Sequence, residues 1–347
     1  MLEVRVMTIV INMRDRVDNR KIKIAAKFIR EGKLVAFPTE TVYGLGADAL
    51  NEKAVRRIFE AKGRPADNPL IVHIARFEQL YELARNVPRE AEILAEHFWP
   101  GPLTIVLPKK DNVPKTTTGG LDTVAIRMPA HEIALNLIKA SGRPIAAPSA
   151  NISGKPSPTL AEHVVDDFYG RIECIIDGGE VKIGVESTVL DLTTKPPTLL
   201  RPGGLPLEEI ERIIGRIKIH PAVKGKTVDI AKAPGMKYKH YAPNAQVIVI
   251  EGNREKVKEK IKELLKEYKK RGIKVGIMAT GDFYEADAYV NLGNSEEEVA
   301  KNLFRALREL DKSGVDVILA EGIEEKGLGL AVMNRLRKAA GYKIVRA

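Results

Sequence analysis

Gly32-Lys-Leu-Val-Ala-Phe-Pro-Thr-Glu-Thr-Val-Tyr-Gly-Leu-Gly46 decides how this chain is read. The apolar run Leu34 to Phe37 has the length and composition of a buried strand. Pro38 ends it, because proline has no N–H for a ladder hydrogen bond. Two threonines and a glutamate follow at once, and then Tyr43-Gly-Leu-Gly46 reads as a turn. Polar groups at the end of a buried strand sit where open α/β sheets take small molecules. Upstream, Ile22, Ala25, Ala26 and Ile29 recur at helical spacing, which predicts a helix from about Asn19 to Glu31 with Asp18 or Asn19 as cap and Gly32 as stop.

Working outward, two more stretches carry chemistry. A helix over Glu52–Ala61, capped by Asn51, runs into Ala61-Lys-Gly-Arg-Pro65. Lys62 and Arg64 there suit either a helix C-terminus, whose carbonyls favour cations, or phosphate oxygens. A strand over Ile145–Ala147 runs into Pro148-Ser-Ala-Asn151. Ser149 and Asn151 suit either a turn or cap, or a phosphate or hydrated cation that needs polar groups without added negative charge. Arg127 and Arg201 each end a predicted strand (Thr123–Met128 and Thr198–Leu200). His73 lies within a third, Leu70–Ile74.

Strands at Leu103–Leu107, Cys174–Ile176 and Thr188–Leu192 complete a first unit over residues 1–215. Its helices do not alternate strictly with strands, which predicts a mixed, twisted α/β sheet. Residues 216–245 contain three prolines and lack sustained periodicity, and they read as a linker. Residues 246–347 alternate cleanly: strand Val247–Ile250, helix Arg254–Lys270, strands Lys274–Ala279 and Ala288–Leu292, helix Glu296–Lys312, strand Val315–Ala320 and helix Leu330–Ala339. That pattern predicts a smaller Rossmann-like unit with a largely parallel sheet. Glu251-Gly-Asn-Arg254 stands where a dinucleotide-binding glycine motif would follow the first strand, and the later Gly327-Leu-Gly329 is weak evidence for an anion site.

Composition bounds the function. At 347 residues, 44% hydrophobic and 29% charged, the chain suits two globular domains. No apolar run approaches the ~20 residues of a membrane span, and charges at Arg14, Asp15, Arg16 and Asp18 come too early for a signal peptide. Cys174 stands alone, so neither an intramolecular disulfide nor a cysteine zinc site is available. A cytoplasmic location without membrane association is the expectation. The net charge of +10 is unevenly spread: residues 1–215 are nearly balanced, with 29 basic against 28 acidic, whereas residues 216–245 hold 7 against 1. So local an excess suits a bound anion at least as well as a nucleic acid.

Lys62-Gly63-Arg64 and Ser149-Ala150-Asn151, with Pro38-Thr-Glu-Thr-Val-Tyr-Gly44 upstream, resemble the motifs of the YrdC-like family. The resemblance continues through Asn68–Ile74, Trp99–Thr104, Val124–Pro129, Val185-Glu-Ser-Thr188 and Leu200-Arg-Pro-Gly203. Ala233-Pro-Gly-Met-Lys-Tyr-Lys-His-Tyr-Ala-Pro243 looks like the linker of the long, two-domain members, the threonylcarbamoyl-AMP synthases. The resemblance implies a YrdC-like catalytic domain with a concave active-site face, a linker and an accessory domain. It also implies synthesis of L-threonylcarbamoyl-AMP and pyrophosphate from L-threonine, bicarbonate and ATP, the first step towards N6-threonylcarbamoyladenosine beside the tRNA anticodon. Lys62 and Arg64 take the catalytic role in this picture. Both contact ATP, together with Thr118, Ser149, Asn151, Ser157, Arg201 and Tyr241. Thr39, His73, Arg127, Ser187 and a carbonyl near Ala147 form the threonine shell.

With no metal-binding motif, Mg²⁺ is expected to arrive with ATP and to be held mainly by its phosphates. The linker residues Lys237, His240 and Tyr241 are expected to fold over the site as a lid. Enzymes that transfer the threonylcarbamoyl group onward are the expected partners, with a weak contact to tRNA in addition. Two other functions compete. A carbamoyl-adenylate chemistry like that of hydrogenase-maturation carbamoyltransferases would bring cysteine pairs and an acylphosphatase segment, both missing here. An RNA-binding module would bring an RRM, KH or zinc-knuckle pattern, and none is present.

Overall fold

A computed structural model describes residues 6–226, 231–234, 236, 240–281 and 283–347. The opening strand forms as Val35–Phe37, buried throughout. The chain then returns antiparallel as Gly44–Asp48, pairing Val35 with Gly46 and Phe37 with Gly44. The turn expected at Tyr43–Gly46 is therefore a strand. Its glycine answers a packing demand: a Cβ on Gly46 would lie 2.7 Å from the Phe37 ring and 2.8 Å from the Ile145 side chain. Glycine inside a strand often marks such a close approach.

The first sheet has eleven strands among the described residues. From edge to edge they run Ile9–Asn12, Cys174–Asp177, Val35–Phe37, Gly44–Asp48, Ile145–Ala146, Ile71–His73, Thr123–Arg127, Leu103–Pro108, Thr188–Asp191, Thr198–Arg201 and Lys218–Ile219. Parallel and antiparallel pairs alternate irregularly, as a mixed sheet requires. Helix Asn19–Arg30 starts at Asp18, whose carboxylate accepts the N–H groups of Arg20 and Lys21, and it buries Ile22, Ala25, Ala26 and Ile29. Helix Glu52–Lys62 is capped by Asn51 and stopped by Gly63, which takes the left-handed conformation at φ 60°. Besides Gly44–Asp48, periodicity missed Ile9–Asn12 and Lys218–Ile219, the two edges of this sheet; the latter falls in the segment expected to be linker.

The second sheet is parallel throughout, in the order Ala288–Asn291, Val275–Ala279, Val317–Glu321, Gln246–Glu251, Ile344–Arg346. Ile248, Ile250, Ile277 and Leu319 face helix Arg254–Lys270. Val247, Val249, Met278 and Ile318 face helices Glu296–Lys312 and Gly329–Ala339. Helix Glu296–Lys312 also packs on the first unit. Arg308 from it, 7% exposed, pairs with Asp167 at 2.8 Å and donates to the Pro156 carbonyl. A Cβ on Gly184 would lie 2.4 Å from the Lys301 backbone, so only glycine allows that approach. No helix among the described residues is long and apolar enough to cross a membrane.

Candidate active site

Six strand ends of the first sheet converge on one crevice. Thr39 follows the opening strand, and His73, Arg127 and Arg201 are the last residues of their strands. Ala147, Ser149 and Asn151 follow Ile145–Ala146, and Ser187 precedes Thr188–Asp191. Together with Arg64, just past its helix, and with Tyr241 and His240, these residues line the crevice. Its free volume is about 50 Å³, room for a few water molecules. The walls are drawn in.

Three arginines dominate its electrostatics. Arg127 donates from Nη1 to Thr41 Oγ1 at 2.9 Å and from Nε to the Gly101 carbonyl at 3.1 Å, and its Nη2 lies 2.6 Å from Glu40 Oε1. Arg201 donates to the Ser187 carbonyl from Nε at 3.1 Å and from Nη2 at 2.8 Å, and to Ser187 Oγ at 3.1 Å. Burial pulls Arg201 down to about 10, partly offset by Glu186. Arg64 reaches the Asn68 and Pro69 carbonyls at 3.5 and 3.4 Å. Ser187 Oγ also shares a 2.7 Å hydrogen bond with Thr104 Oγ1. His73 packs edge-on to Phe37 with its Nδ1 3.2 Å from the Ile71 carbonyl. Burial first and Arg127 second lower its pKa to about 3, so its imidazole is neutral at physiological pH.

Three of the residues singled out in the sequence stand behind the wall. Lys62, 2% exposed, donates Nζ to the Ser149 and Asn151 carbonyls at 2.6 and 2.5 Å. Burial and the Arg64 charge hold its ammonium well below the usual lysine range. Here Lys62 fastens the loop that carries two crevice residues. Thr118 ties its own loop, donating to the Leu121 carbonyl at 2.7 Å. Ser157 donates to Glu186 Oε1 at 2.7 Å. Lys237 lies outside the described residues.

Glu186 and Arg335 were not singled out by sequence reasoning. Glu186 lines the crevice, and Arg335, fully buried on helix Gly329–Ala339, bonds its Oε2 at 2.9 Å. Burial works to raise the Glu186 carboxyl, but the Arg335 and Arg201 charges and hydrogen bonds from Ser157 and Arg335 outweigh it and hold it at about 2. The Arg335 guanidinium lies 5.7 Å from the Tyr241 ring centre, and that ring packs against Phe304 at 5.1 Å. The wall nearest Tyr241 is therefore built by the second unit. Glu186 had a hint in its motif neighbours. Arg335 had none, because nothing local in a helix predicts a partner 149 residues away.

Four histidines, His73 and His163 buried and His131 and His240 half-buried, give a pH prediction. Burial is the largest cause in each case, lowering His73 and His240 to about 3 and His131 and His163 to about 4. A folded-state pKa below the unfolded value contributes stability that is complete above about pH 6.5 and is lost as pH falls towards those folded values. Denaturant unfolding followed from pH 7 to 4 is expected to show stability falling below pH 6.5, with uptake of several protons. A flat profile over that window would contradict the neutral assignment.

Comparison with known proteins agrees with this architecture. A family model described as "Telomere recombination" (Sua5–YciO–YrdC) matches residues 27–203, and one described as "Threonylcarbamoyl-AMP synthase, C-terminal domain" matches residues 205–341. A Pyrococcus abyssi protein named threonylcarbamoyl-AMP synthase is 72% identical over 98% of this chain and 100% of its own length. The chain belongs to the threonylcarbamoyl-AMP synthase family. Membership makes it an enzyme of the nucleotidyltransferase type. The family spans kingdoms: a Bacillus subtilis synthase is 51% identical over 94% of both chains. The crystal structure of Pyrococcus abyssi Sua5 complexed with L-threonine has a TM-score of 0.97 and 71% identity over 98% of this chain and 100% of that one. The two-sheet architecture is thus that of the family.

Proposed function

We propose that the crevice makes L-threonylcarbamoyl-AMP and pyrophosphate from L-threonine, bicarbonate and ATP, as the first step of N6-threonylcarbamoyladenosine formation in tRNA. The observation that carries this reading is the meeting of three buried arginines with a set of hydroxyls at six strand ends. Two anions must react here, and their charges need fixed cations in a water-poor site. The names of the relatives, and the threonine bound by the Pyrococcus abyssi protein, support the choice of substrates.

The neutral threonine amine first attacks the carbon of bicarbonate, whose hydroxyl leaves as water with a proton from the nitrogen, giving the carbamate. A carbamate oxygen then attacks the ATP α-phosphorus, and the bond to pyrophosphate breaks. Arg64 and Arg201 hold the triphosphate and take up the charge that grows on the leaving pyrophosphate. Arg127 takes the threonine carboxylate, while Thr39, Ser187 and the Ala147 carbonyl orient its amine and hydroxyl. His73, neutral, serves as a hydrogen-bonding wall. Among the described residues no three His, Cys, Asp or Glu side chains gather as a metal site. Asn151 Oδ1, buried without a partner among the described residues, and the Ser149 hydroxyl fit a Mg²⁺ held chiefly by phosphates. That ion supplies charge neutralisation. Residues 1–215 form the catalytic domain in this reading, 216–245 the linker and lid, and 246–347 the accessory domain. The enzyme works in the cytoplasm and hands its adenylate to a transferase acting on tRNA.

Pyrophosphate release measured with ATP, bicarbonate and each amino acid tests the proposal. Release is expected to need bicarbonate and to be strongest with L-threonine. Valine should react far more weakly, because a site that bonds a hydroxyl rejects an analogue lacking it. Equal turnover with valine, or indifference to bicarbonate, overturns the reading. Arg64→Ala is expected to lower the rate about 10²-fold, the size of a lost transition-state charge contact. Lys62→Ala should do the same by releasing the Ser149–Asn151 loop.

A further inference from the structure

The second sheet carries a larger opening than the first, about 850 Å³, within the range of small-molecule pockets. Its position follows from topology. Strands Gln246–Glu251 and Val317–Glu321 are neighbours. The helix after the first packs on one face of the sheet, and the helix after the second on the other. The strand order therefore reverses between these two parallel strands, and the opening sits at their carboxyl ends, where parallel α/β sheets bind ligands. Glu251, Thr280 and Glu321 line it.

Glu321, 3% exposed, forms its floor. Its Oε2 accepts both the N–H and the hydroxyl of Thr280, whereas Oε1 has no hydrogen-bond partner among the described residues. Glu321 Oε1 is thus left to take a donor from a molecule in the opening. Glu251 needs none, because Arg337 holds both its oxygens at 2.7 and 3.0 Å. On the rim, the exposed side chains of Arg254 and Lys326 have no ion-pair partner among the described residues. A nucleotide fits poorly. Helix Glu296–Lys312 starts at the opening with three glutamates in its first turn, so its positive end already meets negative charge.

We propose that this opening is a second binding site for a small molecule carrying both an ammonium and a carboxylate, the class of free α-amino acids. The ammonium donates to Glu321 Oε1 on the floor, and the carboxylate lies between Arg254 and Lys326 at the rim. The site is separate from the first crevice and does not depend on the reaction assigned there.

Calorimetric titration of the full chain with the common L-α-amino acids, and with putrescine as an amine without a carboxylate, tests it. The titrations are run in wild type, Arg127→Ala, Glu321→Gln and Arg254→Ala. At least one amino acid is expected to bind wild type and Arg127→Ala alike, and to weaken about tenfold or more in Glu321→Gln, the size of a charge-assisted hydrogen bond. Arg254→Ala, on the exposed rim, should weaken it as well and serves if Glu321→Gln does not fold. No amino acid binding in Arg127→Ala, binding indifferent to Arg254→Ala, or putrescine binding as tightly as the amino acids overturns the proposal. None of these results bears on pyrophosphate release, so the two readings fail separately.

Discussion

Arg335→Met lowers kcat/KM for ATP by about 10²-fold, and adding Glu186→Gln to it recovers most of that loss. The reason is charge. Arg335 is fully buried and its Nε bonds Glu186 at 2.9 Å, while Glu186 also lines the crevice that must admit a triphosphate. Removing the arginine leaves a buried carboxylate whose remaining cation is Arg201. Breaking a buried pair from one side costs about 3–5 kcal/mol, because an uncompensated charge stays behind, whereas removing both partners is often nearly neutral. Arg201 would be drawn towards Glu186 and away from the Ser187 carbonyl, and incoming phosphate would meet negative charge instead of a neutralised pair. Steady-state kinetics of the two variants, with unfolding midpoints beside them, separate this from simple destabilisation. A double variant no better than Arg335→Met alone would show that the pair does not act through charge compensation.

The same pair marks where sequence stops being informative. Arg64, Ser149 and Asn151 were legible because each follows an element whose end is written locally: Gly63 stops a helix and Pro148 a strand. The side-chain directions were not. Lys62 closes the same helix two residues before Arg64, yet it points into the Ser149–Asn151 loop rather than the crevice. Only the packing of that helix against the loop fixes this choice. The strand at Gly44–Asp48 was read as a turn because glycine signals both bends and close approaches. The Phe37 ring that demands glycine at position 46 belongs to the neighbouring strand. Ile9–Asn12 is held by pairing with Cys174–Asp177, a partner no local window contains. The second sheet was the more legible of the two, since helices Arg254–Lys270 and Glu296–Lys312 each carry their own caps and periodicity.

Tyr241→Ala is expected to reduce turnover about tenfold or more and to shorten the lifetime of the adenylate made, measured by trapping it after rapid mixing. In the drawn-in crevice Tyr241 is 4% exposed, packed against Phe304 and near the Arg335 guanidinium, with His240 beside it at 5.5 Å. A crevice of about 50 Å³ has no room for ATP and threonine together; in the lid reading, these two residues withdraw before substrates enter and return behind them. The return matters because a mixed anhydride hydrolyses when water reaches it, and a closed aromatic lid excludes that water. The anchor for the return is the second unit, whose Phe304 and Arg335 hold the ring; a tether keeps the lid at high local concentration over the site. Cutting the linker in the folded protein should therefore reproduce the Tyr241→Ala defect. Unchanged turnover and unchanged adenylate lifetime in both would reduce the segment to a hinge, and the second unit's hold on Tyr241 would then be packing alone.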